Sequence, residues 1–277
     1  MRRRKWLICT AVLMLLALVV LAGLDGRMII RRYEVESDLI DQPVKLAVLT
    51  DLHGCDYGPD GEALLADVRA LRPDAILLVG DMFSPDGDPH EELRIFSSLA
   101  QIAPACYVSG NHEYWEYDVP ALYTMITETG VTVLDQESML IDVRGQCIAL
   151  CGVPDPLAQD YVGAPGLMTQ LERAAQDVPP DVCTVLLAHR PELIADYAAS
   201  GHFDLVLCGH AHGGQIRVPL LINGLYAPNQ GWFPDYAGGE YSVGETTMIV
   251  SRGLSTQTQM GIPRIFNRPE LLLVTLE

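Results

Sequence analysis

Five times along the chain, a short apolar run ends in residues able to bind a metal ion or carry a proton. Residues 45–50 run into Asp51-Leu52-His53, 75–79 into Gly80-Asp81, and 106–109 into Gly110-Asn111-His112-Glu113. Further on, 183–188 ends at His189 and 203–208 at Gly209-His210-Ala211-His212. Carboxylate, amide and neutral imidazole donors in one set suit divalent transition metals, and two neighbouring ions need a carboxylate between them. Taken singly, Asp-x-His, Gly-Asp or Gly-Asn-His is an ordinary strand-ending turn. Their repetition behind apolar runs points to one shared site, and five of the seven histidines fall in the set, with His90 and His202 outside it.

The runs that carry these residues alternate with segments of helical period: 44–50 then 62–71, 75–79 then 91–103, 106–109 then 119–128. This predicts an α/β fold. The uniformly apolar run 75–79 fits a sheet covered on both faces. Candidate ligands then stand at the carboxyl ends of strands, where open α/β sheets build their sites. A hairpin over 139–143 and 146–151 is expected to turn at Arg144-Gly145, followed by a helix over 166–176 and a strand over 182–188. After the run 204–208, short strand candidates at 216–218, 240–243, 247–251 and 271–276 read as a second, more antiparallel sheet.

The ordered set Asp-x-His, Gly-Asp, Gly-Asn-His-Glu, His and Gly-His-x-His over residues 44–212 resembles the calcineurin-like metallophosphoesterases. The run 209–215, the stretch Asn267-Arg268-Pro269-Glu270 and the apolar N-terminus are similar to the membrane-associated bacterial branch related to UDP-diacylglucosamine hydrolases. The resemblance implies a four-layer α/β/β/α sandwich with a dinuclear site on one edge. It implies that Asp51, His53 and His212 hold one metal ion, Asn111, His189 and His210 a second, and that Asp81 bridges them. It also implies that His112 is the acid beside the site. Glu113 then has the work of orienting His112, although many relatives carry the shorter Asp at that place. Mn, Zn or Fe all suit the donor set. The expected reaction is hydrolysis of a phosphomonoester or phosphodiester by a metal-bound hydroxide. Two alternatives stand beside it: a catalytically silent metal-binding envelope protein, and a hydrolase of a non-phosphate ester or amide bond.

Charge is uneven. Of the net −18, residues 1–32 contribute seven basic groups against one acid, so residues 33–277 carry about −24. That argues against a nucleic-acid-binding surface. Neither of the two lysines sits in a phosphate-cradling glycine-rich motif, and no Gly-x-Ser-x-Gly marks a serine hydrolase. Residues 6–24 are 19 without a charge, about 28 Å as a helix, which predicts one transmembrane helix. The sequence therefore divides into an anchor with its flanks, 1–32, and a catalytic domain, 33–277. Arg2, Arg3, Arg4 and Lys5 predict a single-pass protein of the cytoplasmic membrane with its body outside, although Arg27, Arg31 and Arg32 oppose that orientation; cleavage of a secretory signal is the alternative. The anchor suggests a lipid-linked substrate.

Three further groups are open at this level. Arg190, Arg252 and Arg264 could bind a phosphate or serve the structure, and the segment 229–236 is either a substrate lip or an aromatic brace. The seven cysteines include no Cys-x-x-Cys pair and read mostly as buried thiols. Cys55 is read as packing rather than ligation. Cys147 and Cys151, four apart on one strand, face the same side without easily meeting.

Overall fold

The computed structural model describes residues 2–85, 87–258 and 261–277. Its strands are β1 (Ile29–Val35), β2 (Val44–Leu49), β3 (Ala75–Val79), β4 (Ala105–Val108), β5 (Thr132–Val133), β6 (Glu137–Val143) and β7 (Gln146–Gly152). They continue with β8 (Cys183–Leu187), β9 (Leu205–Cys208), β10 (Tyr226–Ala227), β11 (Gly231–Trp232), β12 (Gly239–Val243), β13 (Thr246–Val250) and β14 (Glu270–Leu276). The helices are α1 (Arg2–Gly23), α2 (Glu62–Leu71), α3 (His90–Ala100), α4 (Asn111–Glu116), α5 (Val119–Glu128), α6 (Ala158–Val162), α7 (Leu167–Ala175) and α8 (Ile194–Ala199).

Two six-stranded sheets run in the orders β1-β14-β2-β3-β4-β5 and β12-β13-β9-β8-β7-β6. Side chains alternate across each strand, and the alternation sorts them into layers. Val44, Leu46 and Val48 of β2 face Val185, Leu187 and Leu205 of the other sheet in one central cluster. The intervening Ala47 and Leu49 turn outward to meet α2, α3 and α5. In the second sheet Leu186, Val206 and Cys208 turn outward onto Leu171 of α7 and Tyr197 of α8. Each helix supplies the matching stripe: Leu64, Val68 and Leu71 recur at helical spacing along α2 and are all buried. Asp118 caps α5 by accepting from the Ala121 N–H at 3.3 Å, with Pro120 in the first turn.

The late strands do not form a sheet of their own. β14 enters the first sheet, antiparallel to β2 and parallel to β1, and β13 lies parallel to β9. Residues 216–218 make only isolated bridges, Ile216 to Ile265 and Val218 to Ile222. The pairings of β14 with β1 and β2 and of Ile216 with Ile265 are remote in sequence, so local pattern carries no sign of them. β1 is an edge strand, and an edge tolerates the arginines that hide it in the sequence. The Arg144-Gly145 turn of the β6–β7 hairpin has positive φ at both residues, 56° and 84°, as a two-residue hairpin loop requires.

The N-terminal segment requires a correction. It forms α1, 22 residues long, but among the described residues no helix is long and apolar enough to cross a membrane. The expected transmembrane helix is therefore withdrawn, and with it the placement as a single-pass protein of the cytoplasmic membrane. Counting uncharged residues overstates the segment's independence. α1 closes at Gly23, whose carbonyl accepts the Phe266 N–H at 2.7 Å, so its end is built into the body. Two of the flanking charges are also committed locally: Arg27 pairs with Asp25 and Arg31 with the buried Glu270, both at 2.9 Å. The side chains of Arg2, Arg3, Arg4, Lys5 and Cys9 lie outside the described residues.

Candidate metal centre

β2, β3, β4, β8 and β9 all end at the same edge of the molecule. The first residues beyond them leave extended geometry at once. Asp51, His53, Asp81, His210 and His212 adopt positive φ between 44° and 66°. For residues with a side chain this conformation costs of order 1–3 kcal/mol each and persists only where the surroundings enforce it. Two glycines permit the crowding that results. A Cβ on Gly110 would collide with Asp81 Oδ1, and one on Gly209 would lie 2.5 Å from Asp51 Oδ2.

The turns bring Asp51, His53, Asp81 and His212 together, and also Asp81, His189 and His210, with the donor atoms of each group within 4.8 Å of one another. Asp81 belongs to both groups. Its Oδ1 accepts the His112 backbone N–H at 2.8 Å. Its Oδ2 stands 3.1 Å from His189 Nε2 and 3.7 Å from His53 Nε2. His212 Nε2 is 3.4 Å from Asp51 Oδ1 and 3.3 Å from His53 Nε2. All these side chains are buried.

Neighbouring groups fix the imidazoles. His189 Nδ1 donates to the Val79 carbonyl at 2.9 Å, which turns Nε2 toward Asp81. His210 Nε2 pairs with Asn229 Oδ1 at 2.9 Å, which leaves Nδ1 for a cation. Burial drives the histidines toward the neutral form, His53 to about 4 and His210 to about 3, and holds His212 well below its usual range. His189 goes the other way. Burial opposes its charge, but the Asp81 carboxylate beside it raises the imidazole to about 10. Against its own burial, Asp81 is correspondingly drawn well below the carboxylate range, whereas burial lifts Asp51 to about 6.

The residues fit metal ions. Asn111 Oδ1 is buried without a hydrogen-bond partner among the described residues, and His189 Nε2 meets only the carboxylates of Asp81 and Asp51. An orphaned acceptor such as the Asn111 oxygen is costly unless something electropositive meets it. Neutral imidazoles, two carboxylates and an amide oxygen are a donor set for divalent transition metals.

His112 stands at the rim of the two groups. Its ring lies 4.5 Å from that of His53 and 4.9 Å from that of Trp115, and its Nδ1 is buried without a hydrogen-bond partner among the described residues. Glu113 does not reach this imidazole. Fully buried, it accepts the N–H groups of Gly110 at 2.7 Å, Asp81 at 2.9 Å and Met82 at 2.8 Å. Its carboxylate thus ties the end of β3 to the start of α4, and burial lifts it to about 7.

The site opens into a cleft of about 380 Å³ lined by His53, Asp81, Asn111, His112, His210 and His212 on the metal side. Trp115, Pro228, Asn229, Ser255, Gln257 and Thr258 complete it. A larger depression of about 550 Å³ lies at the amino ends of β8 and β9 and holds none of these groups.

None of the three arginines lines the cleft. Arg190 is forked onto Asp155 at 2.6 and 2.9 Å, and Arg252 is paired with buried Glu270. Arg264 donates to the Arg252 carbonyl at 2.7 Å and lies behind His212. In the segment 229–236, Asn229 lines the cleft and pairs with His210, while Trp232 packs against Tyr226 at 5.4 Å. Ser255 and Gln257 escape the sequence-based reading of the site because no spacing rule joins them to the ligands, and Asn229 enters it only as part of the segment 229–236, not as a partner of His210. Trp115 had a usable signal, three residues after His112 on one helical face.

The calcineurin-like phosphoesterase family model matches residues 44–214, the span from β2 through the last histidine. The chain belongs to this family. A transmembrane protein with metallophosphoesterase domain from Bos taurus is 32% identical over 84% of this chain and 53% of its own length. The phosphodiesterase YaeI of Escherichia coli is 29% identical over 84% of this chain and 82% of its own. The chain thus spans about half the length of the bovine relative. Among solved structures, sulfate thiohydrolase SoxB of Termus thermophilus superposes with a TM-score of 0.51 at 14% identity, covering 84% of this chain and 56% of that one. That likeness concerns the fold alone. In this member of the family, the buried Asp and His cluster brings together groups able to hold divalent metal ions.

Proposed function

We propose that the chain is a dinuclear metal-dependent phosphoesterase. The observation that carries this reading is the sharing of Asp81 between two donor groups beside His112. Asp51, His53 and His212 would hold one ion and Asn111, His189 and His210 the other, each with Asp81, and Mn, Zn and Fe are the candidates. Bound there, the cations supply Lewis-acid polarisation of phosphoryl oxygens and acidify water.

The chain's own residues do the rest. Val79 and Asn229 hold His189 and His210 in the orientation that ligation needs. The His112 N–H fixes Asp81 through Oδ1 and leaves Oδ2 facing both groups. The His112 ring, which lines the cleft and whose Nδ1 has no hydrogen-bond partner among the described residues, gives its proton to the departing oxygen. Glu113 sets the backbone beneath Asp81 and His112, acting as a support rather than as a proton donor.

The substrate we favour is a phosphodiester. A monoester dianion carries one more charge than a diester, and no Lys or Arg stands among the described residues of the cleft to meet it. The name of the E. coli relative, a phosphodiesterase, agrees. A screen of the full chain loaded with Mn, Zn or Fe tests the proposal by measuring the released alcohol, with aryl, nucleotide and lipid-linked diesters set against the matching monoesters. Hydrolysis of diesters above monoesters is expected. Activity on monoesters alone would overturn the diester preference, and no phosphate-ester hydrolysis with any metal would overturn the function.

A further inference from the structure

Trp115 is 53% exposed. Exposure of one aromatic side chain is ordinary on a protein surface; its position is what carries meaning. α4 presents Asn111, His112 and Trp115 in succession, and the indole sits against the imidazole at a ring separation of 4.9 Å, inclined by 64°. It lines the same cleft as the metal donors, and Pro228 supplies a further flat apolar surface to that cleft.

This inference rests on the phosphoesterase reading above, in which His112 protonates the departing oxygen. In that hydrolysis the phosphorus–oxygen bond to the leaving alcohol breaks, a hydroxide formed from water takes its place with the water's other proton passing to solvent, and the His112 proton ends on the alcohol. The alcohol must therefore lie within hydrogen-bond reach of His112, which puts whatever is attached to it beside the indole. The cleft's other described residues beyond the donors are the polar Asn229, Ser255, Gln257 and Thr258. We propose that Trp115 and Pro228 form a leaving-group subsite for alcohols with a flat aromatic ring, of the aryl or nucleobase kind. Stacking on an indole selects such rings over puckered saturated ones of the same size.

Two methyl phosphodiesters test it, one with 2-naphthylmethanol as the leaving alcohol and one with its fully saturated decalin analogue. The two alcohols differ little in acidity, so proton demand is matched. Trp115→Ala is expected to raise KM for the naphthyl ester about tenfold and for the decalin ester less than about twofold, with Trp115→Phe between wild type and Ala. Independently of turnover, methyl 2-(2-naphthyl)ethylphosphonate, in which a methylene replaces the leaving oxygen, should quench tryptophan emission in wild type and in Trp232→Ala, but not in Trp115→Ala. Equal KM changes for the two esters, or a quench that survives Trp115→Ala, would overturn the subsite. A wild-type enzyme inactive on every phosphate ester would instead overturn the underlying function.

Discussion

The backbone N–H of His112 donates to Asp81 Oδ1 at 2.8 Å, so the residue proposed as the acid also holds the carboxylate common to both donor groups. The two tasks use different parts of His112. Substitution by Ala removes the ring and keeps the N–H. His112→Ala should therefore retain its metal while turnover falls by about 10²–10⁴. The loss should be smaller on a 4-nitrophenyl ester, whose leaving group needs little protonation, than on an alkyl ester. Equal losses on both would argue against proton donation.

Glu113 predicts a different phenotype. Its carboxylate accepts the N–H groups of Gly110, Asp81 and Met82 in a fully buried setting. Glu113→Ala leaves all three without a partner, at about 1–3 kcal/mol for each group left unsatisfied, partly relieved by relaxation. Urea unfolding should show a loss of about 2–4 kcal/mol with unchanged slope. Stability within about 0.5 kcal/mol of wild type would show that these bonds do not hold the turn.

The cysteines offer a solution test of the layers. Burial pushes the thiols of Cys106 and Cys151 up to about 12 and that of Cys183 to about 11. Alkylation requires the thiolate, so at pH 8 these three stay protonated and protected. Cys147 is half-buried and none of the described cysteines is bridged. Timed iodoacetamide labelling with peptide mass spectrometry should find Cys147 modified well before Cys106, Cys151 and Cys183. Simultaneous labelling of all four in native protein would contradict the packing.

Much of the site was legible because its ligands follow strands that are themselves conspicuous. The run Ala75–Val79 is apolar throughout since both its faces are covered, and Gly80-Asp81 follows it directly. The supports were not legible. Asn229 reaches His210 across 19 residues of loop, and β14 finds β2 from the far end of the chain; neither contact leaves a periodic trace. Charge was ambiguous in two places. Arg31 reads as a topogenic flank but is an ion-pair partner of Glu270, and of the two roles open for Arg190 its hold on Asp155 favours the structural one.

The central claim is that one carboxylate serves two ions. Metal analysis of Asp81→Asn beside wild type tests it most directly, because Asn keeps an oxygen for the His112 N–H while removing the negative charge that both groups share. Two ions per chain are expected in wild type, with both lost and the thermal unfolding profile kept in the variant. A wild-type chain that saturates at one ion, or a variant that still holds two, would contradict the shared centre.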